Sequence, residues 1–308
     1  MPTPTLDASL QAFLEGMRSA PPLETLPMAA IRDMMRVMGT DPTAPQDVLA
    51  DDLTIPGPAG PLRARRYRPP GARGTGAGIV YFHGGGFIGG DLDSHDGACR
   101  RLCRASNVRF LAIDYRLAPE HPLPAPFDDA EAAVRWAFDH AAELGFVGDR
   151  LGVGGDSAGA QLSAWVSLRL RQDAARRIRS QTLIYPPFVF EGTTPSRAAY
   201  EGILLTASGM KFFTRCLLGA DGRLDDPRLN MLKAEVSGAA PAHVVVAGFD
   251  PLLDEGKAYA QHLEQGGVAV QLTVYPAFPH GFVNMAPHSP TVAAAVDEIG
   301  AALARGLG

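Results

Sequence analysis

Residues 151–170 read LGVGGDSAGAQLSAWVSLRL, and how this stretch is parsed decides the fold. Leu151 to Gly154 is a short run of strand type, and Ala158 to Leu170 is a helix candidate that opens on small residues. Between them Gly155-Asp156-Ser157-Ala158-Gly159 satisfies G-x-S-x-G. With 34 glycines and twelve serines in 308 residues, the pattern arises by chance about 0.15 times, so the string alone decides nothing. Its setting does. A serine on a sharp strand-to-helix turn has its hydroxyl forced outward, and a glycine on either side lets the two backbones come close. In that setting the alternative, a serine that only caps the helix, is the weaker one.

Outward from this point, short apolar runs alternate with helical segments. The runs are Ile79 to Phe82, Val108 to Ile113, Leu151 to Val153, Thr182 to Tyr185, Val244 to Ala247 and Val270 to Tyr275. Such runs suit strands buried on both faces, so the rhythm predicts an α/β fold with a mostly parallel sheet covered by helices on both sides. Upstream, Leu49 to Ile55 and Leu62 to Tyr67 flank Pro56 to Pro61, the pattern of two strands joined by a turn. Asp128 followed by Glu131 reads as a capping box, and Gly145 as the end of that helix. Ser289 before Pro290 suits an N-cap and first helical position, with Val292, Val296, Ile299 and Leu303 as the buried stripe.

Two regions fall outside this rhythm. Residues 1–45 read as two short amphipathic helices, with Leu6, Leu10, Phe13, Leu14 and Met17 on one face and Ile31, Met34, Met35 and Met38 on the other helix's face. Residues 186–219 interrupt the alternation with a loop containing Gly192, Pro195 and Gly202, then an apolar helix candidate, Thr206 to Leu218. An insertion between two sheet strands is a natural lid. It is expected to meet the N-terminal helices over the C-terminal edge of the sheet, where open α/β sheets bind ligands. Residues 46–185 and 220–308 then form the core.

The composition fits such a chain. Hydrophobic residues make up 46% and charged residues 20%, ordinary for a globular protein. A net charge of −5 repels phosphate backbones and anionic membranes, so neither nucleic acid nor a membrane is an expected partner. The five arginines between Arg169 and Arg179 read as the solvated end of the preceding helix. Cys99, Cys103 and Cys216 match neither a disulfide framework nor zinc-site spacing, which points to a reducing compartment. The first basic residue is Arg18, and no apolar stretch with a cleavage site follows a charged start. Gln265 to Val296, the longest stretch without formal charge, holds four prolines and two histidines, which no lipid-spanning helix favours. A cytoplasmic protein is expected.

A serine hydroxyl is a poor nucleophile near neutral pH and needs a base within hydrogen-bond reach. Of eight histidines, His280 in Pro279-His280-Gly281 is best placed, just after the last strand. His288 sits beside the final helix cap, and His121 lies in a proline-rich loop. The base in turn needs a carboxylate to hold its tautomer. Asp250 projects from the tip of the strand Val244 to Ala247, and Asp254, one helical turn on, is the rival. The chain order Ser157, Asp250, His280 is that of the nucleophile-elbow hydrolases. For a developing oxyanion, His83-Gly84-Gly85-Gly86 directly after a strand offers backbone N–H donors, Gly84 and Gly85, and Ala158 after the serine completes the set. His83 itself reads as a loop organiser.

The chain resembles the hormone-sensitive lipase-like family of α/β-hydrolases, in its microbial esterase branch. The resemblance runs through His83-Gly84-Gly85-Gly86-Phe87, Asp114 to Pro122, Gly155 to Gly159, Asp250 to Gly256 and Pro279-His280-Gly281-Phe282. It implies a catalytic triad of Ser157, Asp250 and His280, an oxyanion hole of Gly84, Gly85 and Ala158, a cap from residues 1–45 and 186–219, and a homodimer. Two departures stand out: Ala160 where the family has a second glycine, and Leu253 where it often has arginine. The implied activity is hydrolysis of short- to medium-chain carboxylic esters through an acyl-enzyme. Phe87, Met34, Met38, Leu205 and Phe213 are the candidate apolar wall. Lactonase, amidase and arylformamidase chemistry stay open beside it. Asp114 is expected to hydrogen-bond the loop Leu117 to Pro126.

Two readings from other classes compete. Gly84-Gly85-Gly86-Phe87-Ile88-Gly89 also satisfies G-x-G-x-x-G, with Asp114 at the end of the next strand, as a dinucleotide site requires. Against it, the following helix begins well after the third glycine. A non-catalytic binding module on a hydrolase fold would lack the histidine, and His280 is present. No cofactor and no metal are implied, since neither a phosphate loop nor a metal-ligand cluster is found.

Overall fold

The computed structural model describes residues 5–17 and 20–308; residues 1–4 and 18–19, among them Arg18, which the sequence marks as the first basic residue, lie outside the described residues. Eight strands form one sheet: β1 (Leu49–Gly57), β2 (Gly60–Arg68), β3 (Gly76–Phe82), β4 (Arg109–Asp114), β5 (Phe146–Asp156), β6 (Gln181–Ile184), β7 (Ala242–Phe249) and β8 (Val270–Pro279). Their order is β1-β2-β4-β3-β5-β6-β7-β8. From β4 to β8 all neighbours pair in parallel, and the β1–β2 hairpin closes antiparallel against β4. All six expected parallel strands are present. The hairpin strands run further into the proline segment than expected, pairing as far as Gly57 with Gly60, so the turn shrinks to Pro58 and Ala59.

The helices are α1 (Ala8–Met17), α2 (Met28–Gly39), α3 (Asp96–Ser106), α4 (Ala125–Asp139), α5 (Ala141–Leu144), α6 (Ala158–Leu170), α7 (Pro195–Ala199), α8 (Ala207–Leu218), α9 (Leu253–Gln265) and α10 (Pro290–Leu307). Strand residues alternate between two cores. On β3, Ile79 and Tyr81 join Leu102, Ile299 and Leu303 of α3 and α10, whereas Val80 and Phe82 join Val134 and Leu162 of α4 and α6. This double burial explains the unbroken apolar runs, each fully buried large side chain contributing roughly 1.5–3 kcal/mol. No helix among the described residues is long and apolar enough to cross a membrane.

The boundary chemistry holds in one place and fails in another. Ser289 caps α10, its Oγ accepting from Val292 N at 3.4 Å, with the expected stripe buried. Asp128 is no cap: α4 starts at Ala125, with Pro126 in its first turn, so the acidic pair lies inside the helix. Gly145, at φ 74°, ends the short α5 that follows α4 rather than α4 itself. Outside the core, α2 and α8 approach each other: Ile31 is buried with Ile88 and Ala118, and Met35, Phe212 and Phe213 pack against them.

Candidate active site

Four strands deliver their C-terminal ends to one place. β3 runs into the glycine loop, β5 into Ser157, β7 into Asp250 and β8 into His280. Ser157 adopts φ 50° and ψ −120°, a conformation that side-chain-bearing residues rarely take and that costs of order 1–3 kcal/mol. The glycines around it are required by space. A Cβ on Gly155 would lie 2.5 Å from the Phe82 carbonyl oxygen, and one on Gly159 would overlap that same oxygen. The elbow therefore exists because β3 and the first turn of α6 touch through bare backbone. Its amide is also fixed, Ser157 N donating to the Ile184 carbonyl at 2.8 Å.

His280 bridges the serine and an acid. Its Nδ1 lies 2.8 Å from Asp250 Oδ2, and its Nε2 lies 2.9 Å from Ser157 Oγ. An ionised carboxylate only accepts, so Nδ1 carries the proton and Nε2 is left to accept from the serine hydroxyl. Asp250 is fully buried, and its other oxygen accepts from Leu252 N at 2.8 Å. The Tyr185 ring backs the imidazole, with centroids 4.6 Å apart. The rival residues lie elsewhere: His288 stacks on Phe13, His121 sits exposed in its loop, and Asp254 accepts from Ser196 N.

The glycine loop corrects one expectation. Gly84 N donates to Asp156 Oδ1 at 3.0 Å, and Gly84 is not among the residues that border the cavity. Its N–H is spent on holding the loop. Gly85, Gly86 and Ala158 do border the cavity beside Ser157 and His280, and among the described residues their N–H groups have no protein acceptor. A Cβ on Gly84 would also collide with Asp156, which shows how close the two segments lie. The sequence reading missed Asp156 and Gly86; both stand inside the motifs it quoted.

Asp156 is the centre of a buried polar cluster. Tyr81 OH donates to it at 2.9 Å, Tyr185 OH at 3.4 Å, and His95 Nε2 lies 3.5 Å away. Burial alone would raise its pKa, but the facing imidazole of His95 and the Tyr81 hydroxyl bring it below the usual carboxylate range. His83 organises the loop, its Nδ1 2.8 Å from the Gly84 carbonyl and its ring stacked on Tyr115. Burial pushes its pKa down to about 4, so it is neutral near pH 7. Asp114 does not bond the loop Leu117 to Pro126 as expected. It pairs with Arg63 at 3.4 Å, and the loop's start is held by Asp129, which accepts from Arg116 N at 2.9 Å.

A cavity of about 1430 Å³ opens over Ser157. Met34 and Met38 of α2, Phe213 of α8, Leu205 and Phe87 all border it. Phe87 is 2% exposed and stacked on Phe127, so most of its ring belongs to the core beneath the loop. The two family departures are quiet: Ala160 and Leu253 both pack into the apolar cluster around Leu183 and Val244. The dinucleotide reading fails on geometry, because α3, the helix that follows the glycine loop in the chain, opens only at Asp96, away from Gly89.

Comparison with known proteins points to the same fold. Residues 79–284 match a family model described as the alpha/beta hydrolase fold. The chain is 44% identical over 313 aligned residues to the carboxylic ester hydrolase LipN of Mycobacterium tuberculosis, spanning 97% of this chain and 82% of that protein. It is 42% identical to the ethyl acetate hydrolase of Pseudomonas putida, across 73% of this chain and 72% of that one. Among solved structures, a variant of an α/β hydrolase from the metagenome of Lake Arreo, Spain, superposes with a TM-score of 0.92 at 38% identity, covering 98% of both chains. The motifs, the sheet order and these similarities converge: the chain belongs to the hormone-sensitive lipase-like family of α/β-hydrolases.

Proposed function

We propose that Ser157, Asp250 and His280 act as a catalytic triad that cleaves carboxylic esters through an acyl-enzyme. The observation that carries this is the unbroken hydrogen-bonded chain from Asp250 through His280 to Ser157, ending beside unpaired N–H groups in an open cavity. The chain is an enzyme, a carboxylic ester hydrolase, in keeping with its relatives' names. Ser157 Oγ attacks the ester carbonyl while His280 Nε2 takes its proton. His280 then gives that proton to the departing alcohol, and Asp250 steadies the imidazolium in between. Water repeats the sequence to release the acid and restore the serine. The oxyanion is received by Gly85, Gly86 and Ala158 N–H, with the N-terminus of α6 adding its positive dipole end.

The described residues of the 1–45 segment, together with residues 186–219, serve as a cap over this site, and α2 and α8 bound the acyl or alcohol pocket. Walls on these two sides favour short- to medium-chain esters. We also propose a reducing compartment, the cytoplasm, a reading supported by three unpaired cysteines, of which Cys99 and Cys103 are buried. The test is labelling of the native protein with a fluorophosphonate, with the modified residue located by mass spectrometry. Modification at Ser157 that disappears in His280→Ala supports the triad; a folded protein left unlabelled at Ser157 overturns it. For chain length, rates on acyl esters of four to sixteen carbons are compared, and a steady rise to the longest refutes the pocket assignment.

A further inference from the structure

Arg32 sits on α2, and its guanidinium reaches out of that helix into two loops of the core. Nε donates to the Ile88 carbonyl at 2.8 Å, and Nη2 to the Ala118 carbonyl at 3.1 Å. The two terminal nitrogens also bind the Glu120 carboxylate, at 2.9 and 2.6 Å. The Ile88 carbonyl is the closing end of the glycine loop. Gly85 O accepts from Ile88 N at 3.1 Å and Gly89 N at 3.0 Å, so one turn begins near the unpaired donors and ends on the carbonyl that Arg32 grips. Phe87 O in turn accepts from Ala118 N at 2.9 Å. The loop and the 117–120 segment are thus joined twice, once directly and once through the guanidinium.

Packing is tight at the same place. Ile31, beside the arginine, is buried with Ile88 and Ala118. A Cβ on Gly89 would strike Met35 Sδ, and one on Gly86 would come within 2.8 Å of the Phe213 ring. Helices of both cap segments therefore rest on the loop that carries the donors.

We propose that Arg32 is a positioning residue for ester hydrolysis: from α2 it holds Ile88 and Ala118, and so sets the direction of the Gly85 and Gly86 N–H groups. Seating of the cap helix and shaping of the oxyanion hole are then one event. This rests on the reading of Gly85 and Gly86 as oxyanion donors. Lysine is no substitute, because a single ammonium cannot reproduce the planar fork that meets two carbonyls and a carboxylate at once. Arg36, one turn further along α2, is the internal contrast. It pairs with Asp33 and Asp91 side chains, half exposed, and touches no loop carbonyl.

The experiment compares Arg32→Ala, Arg32→Lys and Arg36→Ala in the full chain, using a butyrate ester, a trifluoromethyl ketone and the matching methyl ketone. The trifluoromethyl ketone adds Ser157 Oγ and presents an oxyanion, whereas the methyl ketone stays a ground-state mimic. Arg32→Ala is expected to lower kcat about 30-fold with KM within about threefold, since misplaced donors lose most of their effect. The inhibition constant for the trifluoromethyl ketone rises by the same factor, and that for the methyl ketone by less than about threefold. Arg32→Lys recovers only part of the loss, and Arg36→Ala none is lost. If Arg32→Ala does not fold, Arg32→Lys carries the same comparison. Unchanged kcat, or equal weakening of both ketones, overturns the proposal. A wild-type protein that does not prefer the trifluoromethyl ketone overturns instead the donor reading on which it rests.

Discussion

Ser157 and the glycine loop border the same cavity, the proposed reacting position, yet they are held by different means. The serine is fixed through backbone alone: a residue at φ 50°, flanking glycines pressed against the Phe82 carbonyl of β3, and an amide bonded to the Ile184 carbonyl of β6. The loop 84–90 is tied down by side chains from elsewhere in the chain. Gly84 bonds Asp156, 72 residues on, and Ile88 bonds Arg32, 56 residues back. The difference separates two kinds of precision. Backbone packing between strands and helix survives only if the fold does, so damage to the elbow shows first as lost stability. Polar ties at a distance can be cut in a chain that still folds, so damage to the loop shows as lost turnover.

Substitutions can break or sharpen this contrast. Ser157→Ala removes the proposed nucleophile and leaves the elbow, so kcat on a butyrate ester should fall by about 10⁶ while the melting temperature stays within a few degrees. A residual rate near wild type would mean that another residue attacks. Gly159→Ala drives a methyl into the Phe82 carbonyl and should cost about 3 kcal/mol or more in urea unfolding. A small cost there would show that the elbow can relax, and the contrast with the loop would collapse. Asp156→Asn keeps the volume but weakens the buried anchor of Gly84; kcat should drop about 30-fold with KM nearly constant and the fold retained. Full activity in this variant would show that the loop holds itself.

The smallest effect is in pH dependence. Burial pushes the imidazoles of His83 and His243 down to about 4, against 6.5 for an exposed histidine. The unfolded chain takes up these protons first as pH falls, so each contributes stability that is lost between about pH 6.5 and 4. His243→Gln, on β7 away from the glycine loop, should therefore flatten the loss between pH 7 and 5 by about 1–2 kcal/mol, measured by urea unfolding. The slope that remains includes His83 and so reports on the loop. An unchanged slope would show that His243 takes up its proton without unfolding.

The same division governs what could be read from sequence. The strands were legible because burial on both faces leaves unbroken apolar runs, and the serine, acid and base were legible because each follows such a run directly. Gly84 was misassigned because its acceptor, Asp156, counts as a free position in the serine motif; only folding brings the two together. Asp128 mimicked a cap because acid pairs three residues apart also occur inside helices, and the proline in the first turn of α4 carried the true start. Arg32 left no trace at all. On a sequence it is one more charge on the polar side of a short helix, and its partners lie in segments that nothing local connects to it.

Asp156 is joined to Ser157 by a peptide bond and to Gly84 by a hydrogen bond. Attack depends on the separation between the serine oxygen and the donors, not on where either stands in the molecule. Because one residue is tied to both, one peptide link and one hydrogen bond set the spacing between the serine and the glycine loop.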